Sequence, residues 1–410
     1  MTNQGHLRAS WVVTAVGGVL FVGLAAWLVP WHPVPGGPLE ALPASSFFSD
    51  AQIRRAEDFS RWARVWSWGS LLLSLATACW FGFTRHGRLL VARLPGPWWL
   101  RAAETVAALE LIARVVTLPF AVLQRRHLLD YGLTNQSWTG FGVDLVEGEA
   151  LSIVVTSLGV VAVIGCARRW ARAWPVVAGG ALGVLVLAGS FVYPVVVEPI
   201  FNTFTPLPDG QLRTQILRLA DEEGVHVDDV LVADASRRTT TLNAYVSGFG
   251  STRRVVVYDN LVDDLSGDEA LSVVAHELAH ARHNDVVTGS LLGAAAALVG
   301  VGLLGLLVGS DRRRVSMAEP AAVPLVLALV ALGTFVAAPV QNTISRQIET
   351  RADVDALTTT HDPDAFIEMQ KQLALHSLAD PNPPALSQFW FGSHPTTLTR
   401  LALAERLAGD

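Results

Sequence analysis

The sequence predicts an α-helical integral membrane protein with about seven transmembrane helices and an inserted α+β domain. Three observations carry this expectation. Seven apolar stretches reach or approach the ~20 residues that a bilayer crossing needs. Of the 410 residues, 51% are hydrophobic and only 16% charged, and the mean hydropathy of +0.39 is high for a soluble chain. Between the fifth and sixth stretches the pattern changes to a polar helix and short β-rich runs, as an inserted domain requires.

The apolar stretches run Trp11–Pro30, Trp66–Phe83, Ala103–Leu123, Glu149–Ala167, Pro175–Val197, Val286–Ser310 and Pro320–Val340. The first has Arg8 ahead of it and has a signal peptide as its alternative, but its run is longer than the usual signal core. They divide the chain into a membrane region (1–200), a first polar segment (201–285), a transmembrane hairpin (286–340) and a second polar segment (341–410). The third stretch carries Glu104, Glu110 and Arg114. Glu110 and Arg114 stand four apart and are placed to pair on one helix face, either as a structural ion pair or along a hydrated cavity.

In the inserted region a polar helix is expected at 209–224 and strands at Asp229–Ala233, Ala244–Ser247 and Arg253–Tyr258, with a turn at Gly248–Ser251. The net charge of −6 gives no reason to expect a nucleic-acid partner. Two cysteines, Cys79 and Cys166, both in or beside apolar stretches, offer neither a disulfide framework nor a cysteine metal site. All basic residues but Lys371 are arginines, a bias that points to a GC-rich coding sequence and a bacterial plasma membrane.

Ser266-Gly267-Asp268-Glu269 has the form of a capping box and opens a helix through Ala281. On that helix His276 and His280, four apart, share one face and can reach one ion. Glu277 is placed to take a proton from the water that the ion activates and pass it to a leaving amine. The residue types therefore point to one Zn2+ and a zincin-type, gluzincin-like domain, although cobalt or manganese would suit such ligands too. A third protein ligand is expected. One pattern places a histidine six residues past the second and a glycine three past it; those positions hold Val286 and His283, so it fails. Glu349 is the better candidate. Asp353, four residues on, could hydrogen-bond the outer nitrogen of a ligand histidine. By spacing alone, an ordinary solvent-facing amphipathic helix explains this pair equally well.

At these segments the chain resembles the M48 peptidases, and within them the Ste24-type CAAX prenyl proteases. The likeness is carried by Pro194–Leu207, Asn243-Ala244-Tyr245, Arg254–Leu261, His276–His280, Ser345–Asp353 and Ser393-His394-Pro395 through Arg400. A weaker match runs from Pro119 through Tyr131-Gly132-Leu133 to Asp144. The resemblance implies seven membrane helices around a hydrated chamber and the zinc ligands His276, His280 and Glu349, with Glu277 as general base. It implies that Asp353 supports the site and that His394 stabilises the oxyanion, with Arg346 and Arg400 in supporting roles. It also implies that Asn243-Ala244-Tyr245 lies on an edge strand that pairs with extended substrate. The expected partners are the bilayer and a peptide or membrane-protein substrate, possibly a lipidated one. The competing readings are a quality-control protease of the same superfamily, and a transporter or lipid-binding protein with structural zinc. Arginines on the N-terminal side of the membrane (Arg8, Arg85, Arg88, Arg93, Arg101, Arg168, Arg169, Arg172, Arg312, Arg313, Arg314) number eleven against six on the catalytic side (Arg54, Arg55, Arg61, Arg64, Arg125, Arg126). That asymmetry favours a catalytic domain outside the cytoplasm, whereas the resemblance to the eukaryotic family implies a cytosolic one.

Overall fold

The computed structural model describes residues 3–40, 42–248, 250–310 and 315–409. Its helices, in chain order, are α1 (Asn3–Leu28), α2 (Asp50–Phe83), α3 (Arg85–Arg93), α4 (Trp98–Asp130), α5 (Trp138–Arg169), α6 (Trp174–Val192) and α7 (Glu198–Phe201). After these come α8 (Gln211–Glu222), α9 (Asp259–Asp264), α10 (Gly267–Arg282), α11 (Asp285–Ser310), α12 (Val323–Thr360), α13 (Pro363–Ser377), α14 (Ala385–Phe391) and α15 (Thr397–Ala408). Seven helical segments among the described residues are long and apolar enough to cross a bilayer: Gly5–Leu28, Asp50–Phe83, Trp98–Asp130, Trp138–Arg169, Trp174–Phe201, Asp285–Val308 and Pro320–Thr360.

Most of these helices outrun the apolar stretches that announce them. Hydropathy marks only the part that meets lipid, whereas the backbone stays helical until a cap or breaker stops it. Thus α2 begins at Asp50, where Ser49 and Gln52 form a full capping box, sixteen residues before the apolar run at Trp66. With 38 residues, α12 extends for about 57 Å, almost twice the thickness of the hydrocarbon core. Its far end is therefore outside the lipid and inside the catalytic domain. Beyond α6, Pro194 and Pro199 interrupt the α-helical ladder and the chain passes through a π-turn at Tyr193–Val197 into α7.

The expected pairing of Glu110 with Arg114 is not formed. Arg114 reaches across to α5, where its Nε lies 2.6 Å from Glu149 Oε2. Glu149 is buried, so the ion pair settles where a carboxylate most needs a cation. Glu110, Arg114 and Glu149 line a cavity of about 610 Å3, together with the serine row Ser67, Ser70 and Ser74 of α2. The structure thus favours the cavity-lining reading of this charged helix. The arginine asymmetry is less clean than the loops suggest, because Arg54, Arg55, Arg61 and Arg64 ride on α2 and Arg125 is buried in α4. Arg312, Arg313 and Arg314 lie outside the described residues, as does Phe249 of the expected turn.

Among the described residues the sheet has four strands, β1 (Phe204–Pro206), β2 (Asp229–Ala233), β3 (Ala244–Ser247) and β4 (Arg254–Tyr258), in the order β1-β2-β4-β3. β2 and β4 are parallel, with Leu231 opposite Val256, and β1 and β3 flank them antiparallel. Central β4 buries Val255, Val256 and Val257, which explains its unbroken apolar run. β1 escaped the sequence reading: three residues ending in proline carry no alternation, and proline is tolerated here only because β1 is an edge. One face of the sheet packs on a core built from both catalytic segments, with Val274 and Leu278 of α10 meeting Phe366, Met369 and Leu403. The domain closes only when the chain returns from the α11–α12 hairpin.

α1 packs closely on α11 through small residues, the usual means by which membrane helices approach. A side chain at Gly302 would fall on α1, with Thr14 N at 2.7 Å and Ser10 O at 2.9 Å, whereas Gly300 faces open space. Gly302→Leu should therefore cost about 1–3 kcal/mol. Gly300→Leu should be close to neutral, and thermal unfolding of both in detergent checks the contrast.

Candidate active site

The capping box at the start of α10 is complete: Ser266 Oγ accepts from Glu269 N, and Glu269 Oε2 accepts from Ser266 N at 3.0 Å. The helix it opens buries Val273, Val274, Ala275, Leu278 and Ala279. That leaves His276, Glu277 and His280 turned toward a cavity of about 790 Å3 at the junction of the sheet, α10 and the membrane helices α1, α11 and α12. Glu349 enters the same cavity from α12.

The three expected ligands converge. His276 Nε2 is 3.2 Å from His280 Nε2 and 3.2 Å from Glu349 Oε2, and His280 Nε2 is 3.7 Å from Glu349 Oε1. Zinc bonds of roughly 2.0–2.1 Å in a tetrahedron hold donors about 3.4 Å apart, so this nitrogen–nitrogen–oxygen set fits such an ion. His283 stands apart, paired with Asp355 at 2.6 Å.

Each histidine is held from behind. His276 Nδ1 meets Asp353 Oδ1 at 2.9 Å, and Arg400 grips Asp353 with Nε at 2.8 Å from Oδ2. His280 Nδ1 meets Asp285 Oδ2 at 2.9 Å, and Asp285 is in turn ion-paired with Arg351. Hydrogen bonding at Nδ1 fixes both ring orientations and leaves both Nε2 atoms facing the shared centre. Asp353 was foreseen in this position; Asp285 and Arg351 were not. Asp285 is the first residue of α11 and in sequence looks like an ordinary helix-opening acid. Its signal was only its place five residues after His280.

Arg346, one turn before Glu349, does not touch the ligands. Its guanidinium donates to Gln388 O at 3.3 Å and Gly392 O at 2.6 Å. It thereby fastens the segment leading to His394, whose Nε2 lies 3.4 Å from Glu349 Oε2. Asn243, Ala244 and Tyr245 line the cavity beside Glu277, and among the described residues β3 has one edge without a strand partner.

Burial opposes a charge on His276, but hydrogen bonds to Asp353 and Glu349 outweigh it and raise the imidazolium pKa to about 10. Burial is the leading effect that pushes the Glu277 carboxyl upward, aided by the Glu349 charge and opposed by His276, His280 and Arg400. For His394, burial is again the leading effect and lowers the pKa, so its ring is held neutral.

Fold and donor set together define a metallopeptidase built into a helical membrane protein. Residues 206–408 match peptidase family M48, and residues 54–203 match the family described as CAAX prenyl protease N-terminal, five membrane helices. The chain belongs to peptidase family M48. It is 29% identical over 318 residues to the uncharacterized metalloprotease YhfN of Bacillus subtilis, covering 75% of this chain and 74% of that one. It is 28% identical over 317 residues to a CAAX prenyl protease 1 homolog of Arabidopsis thaliana, covering 74% and 73% of the two chains. A shorter stretch of 107 residues, 26% of this chain and 24% of the relative, is 41% identical to CAAX prenyl protease 1 of Saccharomyces cerevisiae. The crystal structure of Ste24p from S. mikatae shares the fold, with a TM-score of 0.80 at 20% identity over 97% of this chain and 99% of that one.

Two outcomes follow from the donor set. Asp285→Ala should lower metal affinity about 10–100-fold, because His280 loses the group that orients it; competition with a chromogenic chelator measures this. A metal can bind His276 only after displacing its proton. Below a pKa of about 10, apparent affinity should therefore fall as pH falls, by about tenfold per unit for that one proton. Titrations in buffers of different ionisation enthalpy should detect its release.

Proposed function

We propose that the protein is an integral membrane zinc metalloendopeptidase, with His276, His280 and Glu349 as the zinc ligands and Glu277 as the general base. The observation that carries this reading is the convergence of His276, His280 and Glu349 at 3.2–3.7 Å with both histidines backed by carboxylates. Bound there, zinc supplies a Lewis acid that polarises a scissile carbonyl and acidifies water.

The protein groups have separate tasks. Glu277 takes the proton from the attacking water and delivers it to the amine that departs, so that no charge accumulates on the leaving group. Asp353, clamped by Arg400, keeps His276 in one orientation and acts as a positioning residue. His394 Nδ1 lies 2.9 Å from the Ser393 hydroxyl; with that hydroxyl as donor, the ring proton sits on Nε2, placed to donate to the developing oxyanion. The free edge of β3, with Asn243, Ala244 and Tyr245, receives the substrate backbone as an added strand.

The proposed substrates are extended peptides or segments of membrane proteins. The relatives named as CAAX prenyl proteases extend this to lipidated peptides, and the apolar side chains Phe21, Leu292 and Ile344 facing the cavity suit an apolar attachment. The arginine asymmetry supports a catalytic face outside the cytoplasm.

The deciding experiment compares detergent-purified wild type with Glu277→Gln, measuring peptide cleavage and bound metal in the same preparations. Both should hold about one zinc per chain, with cleavage reduced by about 10²–10⁴-fold in the variant. Equal cleavage would remove Glu277 from the mechanism. Wild type that retains zinc but cleaves nothing, prenylated peptides included, would make the metal structural.

A further inference from the structure

Away from the metal site, α4 buries a cation that the reading above does not use. Arg125 is 3% exposed and sits near the end of α4 that meets the catalytic domain. Its Nη1 donates to Thr134 Oγ1, but its Nε and Nη2 have no hydrogen-bond partner. Among the described residues no carboxylate comes within 4.0 Å of it to form an ion pair. Arg238, the neighbouring cation, is already matched with Asp144 at 2.9 Å. The rings of Trp138 and Phe141, with centroids 5.9 and 5.6 Å from the guanidinium carbon, give only a partial offset to the buried charge.

The two free nitrogens are informative. Nε and Nη2 form the side-on fork of a guanidinium, the pair whose parallel N–H bonds match the two oxygens of a carboxylate. Arg125 lines a cavity of about 410 Å3 whose other walls include Phe59, Leu128, Leu133 and Phe141. The site therefore combines one unmatched positive charge with an apolar wall, faced by the polar side chains Gln124, Gln136, Thr239, Thr241 and Ser377. Ala121 and Gln124 line both this cavity and the polar cavity between the membrane helices, so the two adjoin.

We propose that Arg125 is the anchor of a binding site for a carboxylate carried on an apolar body, distinct from the metal centre and independent of its chemistry. A fatty acid and the free C-terminus of an apolar peptide share that chemistry. The carboxylate takes the Nε/Nη2 fork, and its apolar chain lies along Phe59, Leu128 and Phe141.

The test uses the full-length protein in maltoside micelles and isothermal titration with decanoate, with decanol as the neutral control of equal length. A second arm compares trileucine with trileucine amide in the Glu277→Gln background, where the peptide is not consumed. At least one carboxylate should bind once per chain, about tenfold or more tighter than its neutral counterpart. Arg125→Gln should abolish that preference and Arg125→Lys, which keeps the charge without the fork, should weaken it. Preference for decanoate alone identifies a fatty-acid site, and preference for trileucine identifies a peptide C-terminus. Equal binding of acid and neutral partner in both arms would overturn the proposal, as would an unchanged preference in either variant. Should Arg125→Gln fail to fold, the wild-type comparison and Arg125→Lys decide between the same outcomes.

Discussion

The site depends on α12 being one unbroken rod from the membrane to the metal centre. Arg346, Glu349 and Asp353 lie three, four and seven residues apart on that helix, a spacing that puts all three on one face. Each does a different job there. Arg346 holds the segment before His394, Glu349 closes the donor triangle, and Asp353 fixes His276 from behind. A break between the lipid-facing half and Arg346 would release these three contacts together. The membrane anchor and the catalytic geometry are thus the same physical object.

Charge balance explains why so many ionic groups tolerate burial at this point. Glu277, Glu349, Asp353 and Asp285 are four carboxylates, and Arg400 and Arg351 are the two guanidiniums paired among them. With neutral histidines and all four carboxyls ionised, the cluster carries two excess negative charges, the amount that one divalent cation cancels. Without the ion a proton on His276 covers part of the deficit, in keeping with its raised pKa of about 10. Uncompensated, such a cluster would be expensive in a low-dielectric setting. The arginines behind the carboxylates therefore stabilise the site as well as orient it.

What was legible in sequence was whatever is local. The capping box at Ser266, the facing pair His276 and His280, and the central strand Arg254–Tyr258 each announce themselves within a few residues. Glu349 was only half legible: its spacing from Asp353 fits a solvated helix as well as a metal ligand, and the family likeness tipped the balance. Asp285 and Arg351 were invisible because their meaning is a contact across 66 positions of chain. The same limit misdirected Arg114, where the nearer carboxylate along the helix lost to Glu149 on the next one. The full lengths of the membrane helices are not legible for a different reason, since hydropathy records the solvent around a helix and not the helix itself. Arg125 appeared in sequence as a loop charge on one side of the membrane. Its burial against Trp138 and Phe141 is a product of packing that no local pattern encodes.

The two walls of the catalytic cavity divide the work of recognition. On one side is the free edge of β3, which can bond any extended backbone regardless of its side chains. On the other are α1, α11 and α12, which contribute Phe21, Leu292 and Ile344. A strand edge gives affinity for peptide but little discrimination, so selectivity has to come from what can reach it. A space of about 790 Å3 admits a segment of chain and not a folded domain. An extended segment with apolar side chains gains from both walls at once: its backbone completes the sheet and its side chains leave water for the membrane-helix surface. A polar segment gains from only one. The position of the cavity, at the seam between sheet and membrane helices, thus supports the proposed preference for hydrophobic, extended stretches of chain.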